Sequence, residues 1–375
     1  MLGRLVVRGG WAGRRRLSEV AALERAAREI GSAGLEWEKL GFGYFETNGT
    51  VQGDIRDGRL RSLEFVQSFS SDINVAASAL QYGQSCFEGL KAFANRNGGV
   101  KLFRPDQNSR RLNSSADRLM MPQIDEEIFV EACRMAVYNN IEFVPPYGTN
   151  GALYLRPILL GSSPRIGVSP ATEHKFIVVA SPVSKYYGAD SKAIKALVVD
   201  YCDRAAPQGL GNVKTAANYA PDLKPSALAQ KMGYNVTLYL DPKEHKYIEE
   251  FATSNFAAIK GDRYVTPCSG SILPSITNLS IQQLARRMDL KVERRKIAIE
   301  ELEEFDEVAS LGTAALVSPV SSIVHGEKNY KIGADERDEE HSPIFKQLQR
   351  ELMDIQTGQS PDEFRWMTDA LSAAS

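Results

Sequence analysis

The segment Gly209-Leu-Gly-Asn-Val-Lys-Thr-Ala-Ala-Asn-Tyr-Ala220 decides which fold classes are open to this chain. Its glycines, Gly209 and Gly211, resemble a phosphate-binding loop, but the third glycine of the G-x-G-x-x-G fingerprint is missing. The pair Lys214-Thr215 also lacks the upstream glycine spacing of a P-loop. The segment therefore argues against both the dinucleotide-binding and the P-loop folds.

The strands and helices predicted on either side of this segment alternate without a regular βαβ rhythm. Upstream of it, hydrophobic periodicity predicts short antiparallel strands between residues 37 and 100, helices over 109–121 and 126–140, and strands over 152–160 and 175–183. Downstream, it predicts strands over 194–201, 235–241, 255–260 and 263–266, and helices over 225–232, 277–288, 299–304 and 342–355. This mixture indicates an α+β fold rather than a doubly wound parallel sheet.

The chain of 375 residues is long enough for two domains, each with its own core. The polar stretch 185–192 is the expected interdomain loop, between a domain over 35–184 and a domain over 193–375. Residues 1–34 form a basic N-terminal extension. Its first 18 residues hold five arginines and no acidic residue, which is the composition of a mitochondrial presequence. A cytoplasmic protein with a basic tail is the alternative.

Composition and charge are typical of a soluble globular protein whose partners are small molecules or a second copy of the chain. Apolar residues make up 43% of the sequence, charged residues make up 25%, and the formal net charge is -2. This balance provides no basic surface for nucleic acid or for an anionic membrane. No apolar run reaches the roughly 18 residues that cross a bilayer. The 4 cysteines are far apart and form no C-x-x-C pair, so no metal site is expected.

Seven motifs that follow one another in a fixed order carry a specific resemblance. They are Leu80-Gln-Tyr-Gly-Gln-Ser-Cys-Phe-Glu-Gly-Leu-Lys-Ala-Phe93, Leu102-Phe-Arg-Pro105 with Arg110-Arg111-Leu112, Tyr154-Leu-Arg-Pro157, Lys214-Thr-Ala-Ala-Asn-Tyr219, Glu250-Phe-Ala-Thr-Ser-Asn-Phe256, Ile272-Leu-Pro-Ser-Ile-Thr277 and Gly312-Thr-Ala-Ala-Leu-Val-Ser-Pro319. Each motif alone is weak evidence, but the ordered series is specific. From about residue 37 to about residue 366, the chain resembles the branched-chain amino-acid aminotransferases, which are fold-type IV enzymes that use pyridoxal 5'-phosphate.

This resemblance implies a two-domain architecture like that of D-amino-acid aminotransferase, in which the larger, second domain binds the cofactor. It implies that Lys214 forms the Schiff base with the cofactor and moves the proton during transfer. Glu250 would hold the pyridinium nitrogen, although the acidic pair Glu249-Glu250 as a bare pattern is typical of a solvated face. Tyr219 would donate a hydrogen bond to the phenolate oxygen of the ring.

The resemblance assigns the cofactor phosphate to donors in three separate segments. They are Arg111, Ile276 with Thr277, and Thr313. A helix that begins at 276 would offer unpaired N–H groups and the positive end of its dipole to the dianion.

The implied substrate residues are aromatic side chains, one arginine and a run of backbone N–H groups. Tyr82, Phe87 and Tyr154 would form walls suited to a leucine, isoleucine or valine side chain, although such aromatics are also typical of an ordinary core. Arg156 would pair with the γ-carboxylate of glutamate. The backbone N–H groups that would bind the α-carboxylate belong to Thr313, Ala314 and Ala315.

Several positions depart from the pattern of the family. Ala216, Ala217 and Ala252 stand where the family usually has glycine, so the specificity for the side chain could shift if they line the pocket. Ala315 and Ser318 stand where the mammalian members have their C-x-x-C redox pair. A thiol switch of that kind is therefore absent.

The function implied is transamination between L-leucine, L-isoleucine or L-valine and 2-oxoglutarate, which gives branched-chain 2-oxo acids and L-glutamate, in a homodimer. One alternative is another fold-type IV activity, a D-amino-acid aminotransferase or an aminodeoxychorismate lyase, against which Arg156 in its Y-x-R-P context argues. The other alternative is a catalytically idle binding protein, which the three alanines motivate. Retention of Lys214, Glu250, Tyr219 and Arg111 argues against it.

Overall fold

The computed structural model describes residues 6–7, by their backbone alone, 29–184, 193–333 and 341–371. The chain divides into two compact units, residues 1–184 with 356–375, and residues 185–355. The predicted interdomain loop 185–192 and most of the basic extension 1–34 lie outside the described residues. The sequence prediction assigns all of 193–375 to the second domain, whereas residues 356–371 belong with the first unit.

The first unit is built on an eight-stranded sheet whose pairings are all antiparallel. Its strands are β2 (Thr50–Arg56), β3 (Arg59–Val66), β4 (Ser85–Phe87), β5 (Leu90–Ala94), β6 (Val100–Phe103), β8 (Ala152–Gly161), β9 (Glu173–Val183) and β19 (Met367–Asp369). Their order is β19-β6-β5-β8-β9-β2-β3, with β4 added to β8. A separate parallel pair joins β1 (Val6–Val7) to β7 (Gln123–Ile124).

The described residues of the first unit form three α-helices, of which the two longer ones add buried apolar residues to the core formed with this sheet. They are α1 (Ser78–Tyr82), α2 (Pro105–Arg118) and α3 (Glu126–Asn139), with 3-10 turns at Trp37–Lys39 and Ile141–Phe143. The buried side of α3 brings the Phe129 ring to 6.2 Å from the Phe176 ring of β9. Helix α2 begins earlier than the predicted residue 109, because Pro105 supplies the fixed φ that suits a first helical position.

The second unit is a nine-stranded mixed sheet. Its strands are β10 (Ile194–Val199), β11 (Val236–Leu240), β12 (Ile248–Phe251), β13 (Ser254–Lys260), β14 (Arg263–Pro267), β15 (Lys291–Arg295), β16 (Glu307–Gly312), β17 (Leu316–His325) and β18 (Lys328–Lys331). Their order is β12-β11-β10-β17-β16-β13-β14-β15, with β18 on β17. Because β12 also pairs with β13, six of these strands close into a ring.

In the described part of the second unit, three α-helices and one 3-10 helix lie within a few residues of their predicted positions, and two further 3-10 helices, at 216–218 and 220–222, were not predicted. They are α4 (Leu223–Lys231), α5 (Ile276–Arg287) and α6 (Pro343–Thr357), with 3-10 helices at Ala216–Asn218, Ala220–Asp222 and Ile299–Glu304. Helices and mixed strands together confirm the predicted α+β class. No helix among the described residues is long and apolar enough to cross a membrane.

Replacing Phe129 with alanine should lower the free energy of unfolding by about 3–5 kcal/mol, because this ring is 0% exposed and would leave a cavity under β9. Denaturant unfolding followed by circular dichroism measures the change. The matched control is Tyr138→Ala on the same helix, where a side chain in a residue 41% exposed should cost less than about 1 kcal/mol. Equal losses in the two variants would contradict the proposed packing.

Candidate active site

In the second unit, a tight turn brings Lys214 against Tyr219. The side-chain amide of Asn218 donates to the backbone carbonyls of Leu210 at 2.7 Å and Val213 at 2.9 Å, which folds this segment back on itself. The Lys214 Nζ then lies 3.1 Å from the Tyr219 hydroxyl. An amine and a phenol within hydrogen-bond distance can exchange or share a proton, so this pair is suited to acid–base chemistry.

The three alanines that replace family glycines stand in ordinary backbone conformations. Ala216 and Ala217 lie in the 3-10 helix Ala216–Asn218, and Ala252 follows β12. All three are described residues, and none of them has a positive φ. Because positive φ is the backbone conformation that penalises alanine relative to glycine, these replacements introduce no strain of that kind.

Glu250 is a buried carboxylate with a partner on each side. Its Oε1 lies 2.8 Å from Arg204 Nη2 and accepts the backbone N–H of Leu273 at 3.0 Å. Its Oε2 accepts the side-chain amide of Asn255 at 2.8 Å. Burial raises the pKa of Glu250 to about 7, and Arg204, Leu273 and Asn255 oppose that rise. The acid is therefore poised between its charged and neutral forms.

Its neighbour Glu249 is also buried, so the acidic pair is not the solvated face that its pattern alone indicates. Glu249 Oε1 accepts hydrogen bonds from the hydroxyls of Ser269, at 2.8 Å, and Ser271. The two acids together hold the loop 268–275, which leads into α5.

The N-terminus of α5 presents the predicted residues Ile276 and Thr277. Ser275 caps the helix, and its hydroxyl accepts the backbone N–H of Asn278 at 3.2 Å. Both predicted residues are nearly fully buried. The start of this twelve-residue helix carries partial positive charge, and the first N–H groups of a helix have no intrahelical acceptor. It is a suitable position for an anionic group.

Thr313, Ala314 and Ala315 form the turn between β16 and β17. The hydroxyl of Ser318 donates to the Ala315 carbonyl at 2.8 Å and stabilises this turn. Their backbone N–H groups are the ones predicted to bind a carboxylate.

In the first unit, Phe87, Tyr154 and Arg156 form a stacked cluster. The Arg156 guanidinium lies 4.6 Å from the centroid of the Phe87 ring and 5.2 Å from that of Tyr154. Its Nη2 also donates to the Tyr154 hydroxyl at 2.9 Å. Gly89 permits this arrangement, because a Cβ there would collide with the Tyr154 hydroxyl. The cluster presents aromatic surface and a positive charge side by side.

Tyr82 makes its hydrogen bond with a residue outside that cluster. It is the last residue of α1, is 45% exposed, and donates its hydroxyl to the carbonyl of Ile166. Its role as a wall of the substrate pocket stays a prediction.

Arg111 is held by a bidentate ion pair with Glu88. Its Nε and Nη2 lie 2.7 Å from the two carboxylate oxygens of Glu88, which is 0% exposed. The side-chain amide of Asn108 donates to the same carboxylate at 2.7 Å. This fork fixes the guanidinium in one orientation, and its role in phosphate binding stays a prediction.

Sequence reasoning missed three of these polar residues, Glu88, Arg204 and Asn255. Two of them lie inside the quoted motifs, where Glu88 directly follows Phe87 and Asn255 is paired with Glu250 across the β12–β13 hairpin. Arg204 lies ten residues before Lys214 and has no local pattern that indicates its contact with Glu250.

Comparison with known proteins places these residues in a family. A model described as amino-transferase class IV matches residues 85–323. The branched-chain-amino-acid aminotransferase of Helicobacter pylori is 39% identical over 336 residues, covering 89% of this chain and 97% of that protein. A chloroplastic branched-chain-amino-acid aminotransferase of Arabidopsis thaliana is 38% identical over 336 residues, covering 89% of this chain and 80% of that protein.

Solved structures agree with these matches. The branched-chain amino acid aminotransferase of Escherichia coli has a TM-score of 0.74 and 28% identity, covering 86% of this chain and 99% of that one. A second branched-chain amino acid aminotransferase, that of T.th., was solved with N-(5'-phosphopyridoxyl)-L-glutamate and has a TM-score of 0.71 and 23% identity over 86% of this chain and 99% of that one. At that level of identity the second match establishes the shared fold alone.

The free energy of unfolding of the ligand-free protein should depend on pH through the protonation of Glu250. Because its folded pKa is raised to about 7 from 4.5, the folded state keeps a proton that the unfolded state releases. This stabilisation, about 3 kcal/mol, is present below pH 4.5 and is lost as the pH rises to about 7. Chemical unfolding at a series of pH values measures the free energy of unfolding. Glu250→Gln should remove the fall in that free energy between pH 4.5 and pH 7. If the free energy of unfolding changes with pH equally in the variant and in the unsubstituted protein, this prediction is wrong.

Proposed function

The chain belongs to the amino-transferase class IV family, among its branched-chain aminotransferases, and we propose that it exchanges the amino group between L-leucine, L-isoleucine or L-valine and 2-oxoglutarate. The products are the branched-chain 2-oxo acids and L-glutamate. The observation that carries this proposal is the Lys214 amine, 3.1 Å from the Tyr219 hydroxyl, in a unit that also buries the Glu250 carboxylate.

Pyridoxal 5'-phosphate is the proposed cofactor, and the donors of the second unit fit its functional groups. Glu250 suits a cationic ring nitrogen, because a positive charge at its buried carboxylate would favour the ionised form that burial disfavours. The N-terminus of α5, with Ile276 and Thr277, suits the phosphate, to which Thr313 and Arg111 would add donors. When bound, the cofactor supplies an electron sink for the substrate α-carbon.

Lys214 and Tyr219 perform the proton chemistry of the proposed reaction. The Lys214 Nζ would move the proton between the substrate α-carbon and the cofactor, away from the α-carbon of the amino acid in the first half-reaction and onto the α-carbon of the acceptor oxo acid in the second. The hydroxyl of Tyr219 accepts a hydrogen bond from that amine and would donate one to the phenolate oxygen of the cofactor. The Thr313, Ala314 and Ala315 turn would bind the α-carboxylate through its backbone N–H groups.

The cluster in the first unit supports recognition of both substrates. The ring faces of Phe87 and Tyr154 suit the branched apolar side chains, and the Arg156 guanidinium suits the γ-carboxylate of glutamate. The hydrogen bond from Arg156 to the Tyr154 hydroxyl keeps the charge at one end of the aromatic surface. Tyr82 would contribute a further aromatic wall.

We also propose that the protein is a homodimer, on the evidence of one apolar surface of the first unit. Val75, Leu80, Ile166 and Val168 are between 61% and 85% exposed. The backbone of Arg165 donates to the Ala76 carbonyl at 2.7 Å, which joins the two segments that carry them. Adjoining exposed apolar residues of this kind mark a protein interface, and a second copy of the chain is the partner we propose.

The direct test supplies purified protein with pyridoxal 5'-phosphate, L-leucine and 2-oxoglutarate and measures L-glutamate. We expect glutamate to form with L-leucine, L-isoleucine and L-valine, and Lys214→Ala to lower the rate by at least about 10³-fold. Lys231→Ala, an exposed lysine on α4, is the matched control and should keep the rate. Activity with D-alanine and none with the branched L-amino acids would contradict the proposal.

Replacing Arg156 with glutamine should separate the two substrates. We expect kcat/KM for glutamate to fall by roughly 10- to 100-fold, because a charge-assisted pair is lost, and kcat/KM for leucine to change less than about threefold. Steady-state kinetics in both directions measure this. Arg61→Gln, an arginine whose side chain is 49% exposed, is the control. Equal losses for both substrates would reject the assigned role of Arg156.

Replacing Val168 with aspartate should weaken the dimer, because a charge would be buried in the apolar interface. Sedimentation velocity of the unsubstituted protein should give the mass of two chains, and the variant should shift toward one chain at the same concentration. Glu64→Gln, a charge change elsewhere on the first unit, serves as the control. A monomeric unsubstituted protein would overturn the dimer proposal.

A further inference from the structure

Arg204 joins three segments of the second unit through one nitrogen. Its Nη2 lies 2.8 Å from Glu250 Oε1 and 3.2 Å from the carbonyl of Gly211, and it also donates to the carbonyl of Ser271. Gly211 lies three residues before Lys214, and Ser271 lies in the loop that leads into α5. The side chains of Arg204 and Glu250 are only 7% and 4% exposed. The contact therefore lies in the interior of the second unit.

The contact of Arg204 requires a residue without a Cβ at position 211. A Cβ at Gly211 would collide with the carbonyl of Ser271 and lie 2.7 Å from Arg204 Nη2. Only glycine therefore lets the Lys214 segment approach the loop before α5 this closely. On the other side of that loop, the hydroxyl of Ser271 is held by Glu249.

From Glu250 the network continues to the first turn of α5. The side-chain amide of Asn255 donates both to Glu250 Oε2, at 2.8 Å, and to the Leu273 carbonyl, at 3.0 Å. The Asn255 carbonyl oxygen accepts the amide of Asn278 at 3.1 Å. Arg204 is thus connected to Glu250, to the segment that carries Lys214 and to the N-terminus of α5.

We propose that Arg204 is a positioning residue for the cofactor, which keeps Glu250 as an oriented carboxylate and holds the Lys214 segment in register with the N-terminus of α5. The inference rests on the proposed function, since it concerns how the same site is prepared for its cofactor. Of the charged groups that act on Glu250, Arg204 favours the ionised carboxylate and Glu249 opposes it. Without Arg204, Glu250 would take up a proton and lose its attraction for a cationic ring nitrogen.

The test titrates pyridoxal 5'-phosphate into the cofactor-free protein and follows Kd by absorbance between pH 6 and pH 8.5. We expect Arg204→Met to weaken binding at least tenfold, with the larger loss at the acidic end, where Glu250 is protonated. Arg204→Lys keeps the positive charge without the guanidinium group, so it should retain most of the pH profile with a smaller loss of affinity. Arg263→Met, which removes an arginine paired at 2.7 Å with Glu293 on the surface of this unit, should bind as the unsubstituted protein does.

A double-mutant cycle with Glu250→Gln distinguishes positioning through Glu250 from a general structural role. In the Glu250→Gln background, Arg204→Met should change Kd less than threefold, because the carboxylate that it serves is already gone. An equal loss in both backgrounds, or a Kd for Arg204→Met within twofold of the unsubstituted protein, overturns the inference. If Arg204→Met does not fold, the same cycle is run with Arg204→Lys, read by the same criteria. Failure of the unsubstituted protein to bind pyridoxal 5'-phosphate would instead count against the proposed function.

Discussion

A carboxylate taken out of water must find charge or hydrogen bonds inside the protein, and Glu250 is the point at which the second unit meets this requirement. Its partners are a guanidinium, a backbone N–H and a side-chain amide, which come from three different parts of the chain. Each partner therefore fixes a separate segment relative to β12. The segment with Lys214 and the loop that leads into α5 are both held in this way, and Glu249 adds a second anchor for that loop.

The first unit also contains a buried carboxylate that is paired with an arginine, and it holds a second arginine in a different way. Glu88 is fully buried and is paired with Arg111 in a bidentate fork, with Asn108 as a further donor. The guanidinium of Arg156, in contrast, is packed on two aromatic rings and hydrogen-bonded to a phenol. A cation held by rings keeps more of its charge for a ligand than a cation paired with a carboxylate. This difference supports Arg156, rather than Arg111, as the group that discriminates between an acidic and an apolar substrate.

Local pattern predicted the elements that apolar residues mark clearly. Strands β8, β9 and β13 and helix α5 begin and end within two residues of their predicted positions, because short apolar runs mark these strands and apolar residues at helical spacing mark α5. Strand β12 was not predicted, since its short sequence contains the acidic pair Glu249-Glu250 and has no apolar alternation. Arg204, together with partners on β13 and in the loop before α5, makes the burial of these acids possible. Helix α2 ends at Arg118, before the predicted residue 121, and Met120 is therefore 57% exposed with φ 55.

The sequence by itself determined the α+β class and, through the order of its motifs, the family and the residues with the proposed chemistry. Those properties depend on residue type and spacing along the chain, which can be read without coordinates. The tertiary structure decided what surrounds each of those residues: the Arg204 contact of Glu250, the closure of six strands through β12, and the rings that hold Arg156. The contacts of Arg204 with Glu250 and of Arg156 with Phe87 join residues that are far apart in the chain. No local pattern records which distant charge will share a buried position.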